Sequence, residues 1–210
     1  DALRSNIRVF LAGALVATTS FASWTLSHLA RAPEVQERVH AEVKSVDVYD
    51  PQALGHAAEL NRVLEETLRL TPSLYFLPRW TTVDTWVETA DARKVFIPKH
   101  TRIMLDVWHA NRCEDFWGVE ASGHPAESFA PERWTVLAGK GRSHKEILHF
   151  GFGHGPRVCP GRFLGMLEVA LVVGAFVKIF RFSAVNAALE ARAGVSTKPA
   201  DGALVDLELR

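Results

Sequence analysis

The segment Phe152-Gly153-His154-Gly155-Pro156-Arg157-Val158-Cys159-Pro160-Gly161 sets one cysteine at the end of a glycine-rich loop, directly ahead of an apolar run from Arg162 to Phe180. If that run is a helix, the partial positive charge of its N-terminus favours negative charge on the sulfur. Gly153 and Gly155 open backbone conformations closed to other residues and let the chain approach a flat ligand closely. Arg157, two residues before the cysteine, can neutralise an anionic group on that ligand. An isolated cysteine beside an ordinary turn reads as a small buried hydrophobe. That simpler reading leaves the glycines and the arginine unexplained.

The rest of the chain has an ordinary globular composition. Its 210 residues are 48% hydrophobic and 23% charged, which allows one sizeable core. The formal net charge is zero, so there is no electrostatic footprint for nucleic acid. The two cysteines, Cys113 and Cys159, make no disulfide framework, which fits a reducing, intracellular compartment. The chain opens at Asp1 inside an apolar helical pattern, as a fragment would. The run from Val9 to Ser27 is uncharged and close to the roughly 20 residues of a membrane span, and it also resembles the apolar part of a signal peptide. Thr18, Thr19, Ser20, Ser23, Thr25 and Ser27 crowd its second half, and the pattern continues into Ala32-Pro33-Glu34-Val35-Gln36. A long helix buried within the protein is therefore expected.

Taken in order, residues 1–31 read as that helix, apolar nearly all round. Pro33 ends it and begins the next, with Glu34 and Glu37 at the favourable end of the dipole and Val35, Val39 and Val43 on one face. A helix over 52–70 presents Leu60, Val63, Leu64, Thr67 and Leu68 together and stops at Thr71-Pro72. Residues 75–107 change to short strand-like runs. Thr82 to Val87 is one, and Lys94 to Ile97 with Arg102 to Val107 predicts a hairpin about Pro98-Lys99-His100-Thr101. Residues 111–149 are irregular, and so long a segment is normally functional or disordered. The cysteine loop over 150–161 follows, then a helix over 162–180 whose apolar residues on all faces predict burial. Strands and turns fill the remainder.

A haem bound on one axis by the Cys159 thiolate, with glycines beneath it and Arg157 at a propionate, accounts for every special residue of the loop. The loop resembles the haem-thiolate segment of cytochromes P450: Phe152, Gly153, Gly155, Arg157, Cys159 and Gly161 all stand where that family specifies a residue. The resemblance continues in order along the chain. Glu66-Thr67-Leu68-Arg69 is similar to the family's Glu-x-x-Arg motif, and Phe129-Ala130-Pro131-Glu132-Arg133-Trp134 to the later segment whose arginine completes a charge cluster. Alone, glutamate and arginine three apart on a helix are usually a solvated pair worth a few tenths of a kcal/mol.

The resemblance implies a mainly α fold with small β-sheets, the C-terminal haem-binding part of a P450 as one domain over 1–210, and haem b as cofactor. It implies that Glu66, Arg69 and Arg133 form a structural network holding the irregular segment onto the core. It sets Arg79 beside a haem propionate, the first helix across the haem, and Thr18 or Thr19 in proton delivery. The implied activity is insertion of one oxygen atom from O2 into a small organic substrate. A reductase or ferredoxin-like protein would supply the electrons, docking near the basic run Lys140, Arg142, His144, Lys145 and Arg162, which reads equally as a solvated loop. A membrane is implied only through an N-terminal part of the family that this chain does not include.

The first helix also departs from the family pattern. An acid normally precedes the threonine. Here Ala17 or Val16 stands in its place, depending on whether the register is set by Thr18-Thr19 or by Trp24. The threonines can also bond back to the preceding turn, and His100 stands where a glycine would close the hairpin. Two other readings stay open: a haem-thiolate isomerase or dehydratase that activates no O2, or a truncated, non-catalytic product. His149 and His154 flank the loop within possible reach of carboxylates. His109 and Cys113 have the spacing to share a zinc ion, but no third or fourth ligand completes that site.

Overall fold

A computed structural model describes residues 1–140 and 149–210 of the chain. Helix α1 spans Ala2–Arg31 and stops at Ala32, whose backbone (φ −128°, ψ 71°) is forced out of the helix by Pro33. Pro33 then starts α2, Pro33–Val43. Its missing N–H falls where a helix has no acceptor to offer. Val35, Val39 and Val43 are buried at four-residue spacing. Between them Gln36 is also buried, with every polar atom used: Nε2 donates to the carbonyls of Leu29 (3.1 Å) and Phe182 (2.8 Å), and Oε1 accepts from Phe182 N (3.1 Å).

The helix expected over 52–70 is two helices, α3 (Pro51–His56) and α4 (Ala58–Leu70), broken at Ala57. Side chains satisfy the broken ladder. Asn61 Nδ2 donates to the carbonyls of Leu54, Gly55 and Ala57, and the Glu42 carboxylate accepts from the N–H groups of Glu59 and Leu60. Helix α4 turns Leu60, Val63, Leu64 and Leu68 inward. They meet Phe21 and Leu29 of α1, Val39 and Val43 of α2, and Val169, Val173 and Val177 of a later helix, α9 (Arg162–Ile179).

Two expectations about burial are corrected here. Residues 1–15 of α1 are exposed, and burial begins near Ser20, where α4 and α9 pack against the helix. By length and composition alone α1 could cross a membrane. Helix α9 likewise buries one face only: Phe163, Leu164, Val172 and Ile179 are exposed. An apolar circumference permits burial, but burial happens only where a partner element exists.

Among the described residues, four small antiparallel sheets complete the fold. β1 (Phe76–Trp80) pairs with β4 (Arg102–Asp106), and β2 (Thr85–Glu88) with β3 (Lys94–Ile97). The predicted hairpin between β3 and β4 therefore does not form. Thr81 holds the crossing between the two sheets instead. Its Oγ1 donates to Pro98 O (2.6 Å), its carbonyl accepts His100 N (2.9 Å), and His100 turns with φ +64°. The segment after β4 carries four short helices: α5 (Val107–Ala110), α6 (Glu114–Trp117), α7 (Val119–Ser122) and α8 (Arg133–Gly139). Beyond α9, β5 (Phe180–Ala184) pairs with β8 (Val205–Leu209), and β6 (Ala191–Arg192) with β7 (Lys198–Pro199).

One buried histidine makes the core sensitive to acid. His28 lies against Trp24 and stacks flat on Phe129, at 4.5 Å between ring centres. Thr71 Oγ1 gives its proton to Thr67 O (3.0 Å), so His28 Nε2–H donates to that hydroxyl (3.1 Å). Burial, reinforced by nearby arginines, lowers the His28 pKa from 6.5 to about 3. Below pH 6.5 the unfolded chain takes up a proton that the folded one refuses. Stability contributed by this site is thus whole above pH 6.5 and is lost as the pH falls towards 3, by about 1.4 kcal/mol per pH unit. Chemical denaturation across that range should show a shallower acid slope for His28→Phe than for the native chain.

Candidate functional site

The cysteine loop is clamped between three elements. Phe152 meets Phe21 of α1 edge-on at 6.5 Å and faces Gly165 of α9, where an added Cβ would lie 3.9 Å from the ring. Leu77 of β1 closes the third side, against Gly153. Gly153 and Gly155 have φ of +71° and +70°, the left-handed region that side chains resist. Within the loop, Gly153 N–H donates to Phe150 O and Cys159 N–H to Phe152 O, both at 2.9 Å. Cys159 is half-buried, two residues ahead of Gly161, the N-cap of α9. Its sulfur makes no hydrogen bond among the described residues.

Glu66 lies one turn from the end of α4 with no exposure to solvent. Its Oε1 accepts from Arg69 Nη2 (2.8 Å), Arg133 Nε (3.1 Å) and Ala130 N (3.0 Å), and its Oε2 from Arg69 Nε (2.9 Å). Both arginines are equally buried. Their remaining donors go to main-chain carbonyls. Arg69 reaches those of Asn111, Ala126 and Ser128. Arg133 reaches those of Trp117, His124, Pro125 and Ser128, together with Ser122 Oγ. Burial pushes the Arg133 pKa down, and the Glu66 charge opposes that. The three charged side chains of this network are fully enclosed.

The other candidate residues are dispersed. Arg79, half-buried on β1, donates among the described residues only to the carbonyl of Pro78 (2.9 Å). Arg157 is exposed and has no ion pair among the described residues. Thr19 Oγ1 is bonded back to Leu15 O (2.7 Å) and Val16 O (3.2 Å), whereas Thr18 is half-buried and its hydroxyl makes no such bond. Next to it the carbonyl of Ala17 accepts from Ser73 Oγ (3.0 Å). Of the basic run, Lys140 Nζ donates to the carbonyls of Glu120 and Ala121 at 2.9 Å, and Arg162 covers the Phe163 ring. Arg142, His144 and Lys145 lie outside the described residues. His109 pairs with Asp106 (2.6 Å), and His154 is exposed. A cleft of about 590 Å³ lined by Tyr75, Phe76, Met104, Trp108 and Ala191, among others, includes no residue of the cysteine loop.

These donors suit a particular kind of ligand. Among the described residues, a sulfur free of hydrogen bonds, apolar side chains of Leu77 and Phe152 against the loop, and two guanidiniums without carboxylate partners, Arg79 and Arg157, fit a flat apolar macrocycle that carries acidic groups and a metal. Asn111, which accepts from Phe150 N at 2.9 Å, was not foreseen from the sequence.

Comparison with known proteins points the same way. The family model described as cytochrome P450 matches residues 1–198. The chain is 32% identical over 171 residues to a cytokinin hydroxylase of Arabidopsis thaliana, covering 79% of this chain and 30% of that protein. It is 32% identical over 188 residues to cytochrome P450 99A2 of Oryza sativa subsp. japonica, covering 86% and 33%. With cytochrome P450 monooxygenase FSL4 of Gibberella zeae the identity is 31% over 196 residues, covering 89% and 33%. The chain thus spans about a third of the length of the curated relatives it matches.

Removing Glu66 would leave two guanidiniums buried without their shared anion, and breaking such a network costs on the order of 3–5 kcal/mol. Glu66→Ala should therefore lower the denaturation midpoint and haem retention together. A stable, haem-replete variant defective only in turnover would contradict a structural role.

Proposed function

Because the chain belongs to the cytochrome P450 family, we propose that it is the C-terminal, haem-binding portion of a monooxygenase, with Cys159 as the axial ligand of a haem b iron. The observation that carries this reading is the Cys159 loop itself: a sulfur unbonded among the described residues, ahead of α9, on a backbone that two left-handed glycines hold open. When bound, the haem supplies activation of dioxygen and transfer of one oxygen atom to an organic substrate, with electrons drawn from a redox partner. The Cys159 thiolate would hold the iron and would donate electron density to it. Phe152 braces the loop, and Gly153, Gly155 and Gly161 keep side chains from its surface. Arg79 and Arg157 neutralise the propionates.

Thr18 Oγ1 is the group proposed to hand on a proton, because the Thr19 hydroxyl is committed to its own helix. The electron donor is proposed to be a reductase or ferredoxin-like protein. The half-buried Arg162, just beyond the loop, offers it a positive charge, while Lys140 is engaged with α7. The missing acid, with Ala17 or Val16 in its place, favours one rival: an isomerase or dehydratase needs no proton relay. Turnover that depends on both reductant and dioxygen separates the monooxygenase from that rival.

In a haem-loaded sample, ferrous iron with carbon monoxide should give the strongly red-shifted band of a thiolate ligand. Cys159→Ala should abolish it and Cys113→Ala should keep it; a band that survives in the Cys159 variant would sink the assignment. Thr18→Ala in the complete protein should raise peroxide release per electron consumed and lower product, whereas Thr19→Ala should change both less. Unchanged coupling in both variants would leave the threonines without a proton-delivery role.

A further inference from the structure

The start of the cysteine loop is held by two side chains that the Cys159 reading does not itself require. Phe150 N–H donates to Asn111 Oδ1 (2.9 Å), and Gly151 N–H donates to His149 Nδ1 (3.0 Å). Because Gly151 N–H is the donor, Nδ1 carries a lone pair, and the imidazole proton sits on Nε2. That N–H donates to Glu65 Oε2 at 2.6 Å. A neutral imidazole therefore uses both nitrogens, one on the loop and one on α4. The ring also stands edge-on to Trp134, next to Arg133, at 5.8 Å. Asn111 is fully buried, and its main-chain carbonyl accepts from Arg69 Nη1 (2.7 Å).

The contact is close enough to exclude any side chain at residue 151. A Cβ on Gly151 would lie 2.8 Å from His149 Nδ1 and 2.9 Å from Leu68 Cβ. Hydrogen bonds then continue to the cysteine. Phe150 O accepts from Gly153 N and Phe152 O from Cys159 N, both at 2.9 Å. Glu65 and Arg69 on α4 are thus joined to the Cys159 backbone through Asn111, His149 and one turn.

We propose that Asn111 and His149 are positioning residues for Cys159: they fix the turn from Phe150 to Gly153 against α4, and through it the direction in which the thiolate points. The proposal rests on Cys159 being the iron ligand. The haem-loaded complete protein provides the test, through the share of its ferrous–carbon monoxide signal in the thiolate band and through the reduction potential of the iron. His149→Leu, with neither acceptor nor donor, should lose a several-fold share of that band and shift the potential. His149→Gln, which offers a carbonyl to Gly151 N–H and an amide N–H to Glu65, should recover both. Asn111→Leu should move them in the same direction as His149→Leu.

If the leucine variants do not hold haem, Glu65→Leu carries the test, since it leaves the loop's own residues intact. It should shift the band share, or lose haem, in a way that Glu65→Gln reverses. A native band share and potential in haem-replete His149→Leu, or failing that in Glu65→Leu, would overturn the proposal. So would a loss of haem from Glu65→Leu that Glu65→Gln does not repair. Absence of the thiolate band from the native protein would instead overturn the Cys159 reading, so the two failures are distinguishable.

Discussion

Glu66 is a carboxylate sealed from solvent, and α4 can bury it only because Arg69, Arg133 and the N–H of Ala130 all reach it. A buried ion pair repays its desolvation only when geometry is good and the remaining donors and acceptors are also satisfied. Here they are satisfied by the main-chain carbonyls of the segment between Asn111 and Ser128. That segment has short helices and few inward apolar residues, so it has little else with which to offset the entropy of being ordered. The charge cluster supplies the fixed points, and the segment in turn seals the cluster from water.

The same economy appears wherever polar groups enter the core. Gln36 spends both ends of its amide on β5 and α1, and Thr197 joins Ser20 and Trp24 of α1 to the turn at Pro72. His28 is kept neutral between two aromatic rings and a threonine hydroxyl. Each is a directional contact laid over an apolar interface of α1, α2, α4 and α9 that is otherwise held by side-chain volume. Apolar packing brings the helices together, and the buried polar contacts fix how they are set relative to one another. The cysteine loop draws on both kinds of contact. Phe152 wedges between α1 and α9, while Asn111 and His149 grip the main chain beside it.

Much of this was legible in the sequence where a local rule operates. Pro33 marked the junction of α1 and α2, the valines at four-residue steps marked the inner face of α2, and the glycines of the cysteine loop take the left-handed conformations expected of them. Long-range choices were not legible. Lys94 to Ile97 and Arg102 to Asp106 read as neighbours because they are close in sequence, yet each pairs with an earlier strand. The break at Ala57 depends on Asn61, within the expected helix, and on Glu42, outside it, whose side chains satisfy the exposed ladder ends. An apolar circumference on α1 and α9 could not say which face finds a partner. Asn111 and His149 carry no motif at all, because their importance comes from which N–H groups lie opposite them.

The central claim is that a buried carboxylate on α4 holds the cysteine loop in place across the fold. Amide hydrogen exchange in Glu66→Gln, set against the native chain, tests it most directly, because exchange reads each hydrogen bond separately. The N–H of Ala130, which donates to Glu66, should lose protection first. If the account is right, the N–H groups of Phe150, Gly153 and Cys159 lose protection with it. If Ala130 exchanges freely while Gly153 and Cys159 keep their native protection, the loop stands independently of the charge cluster and the account is wrong.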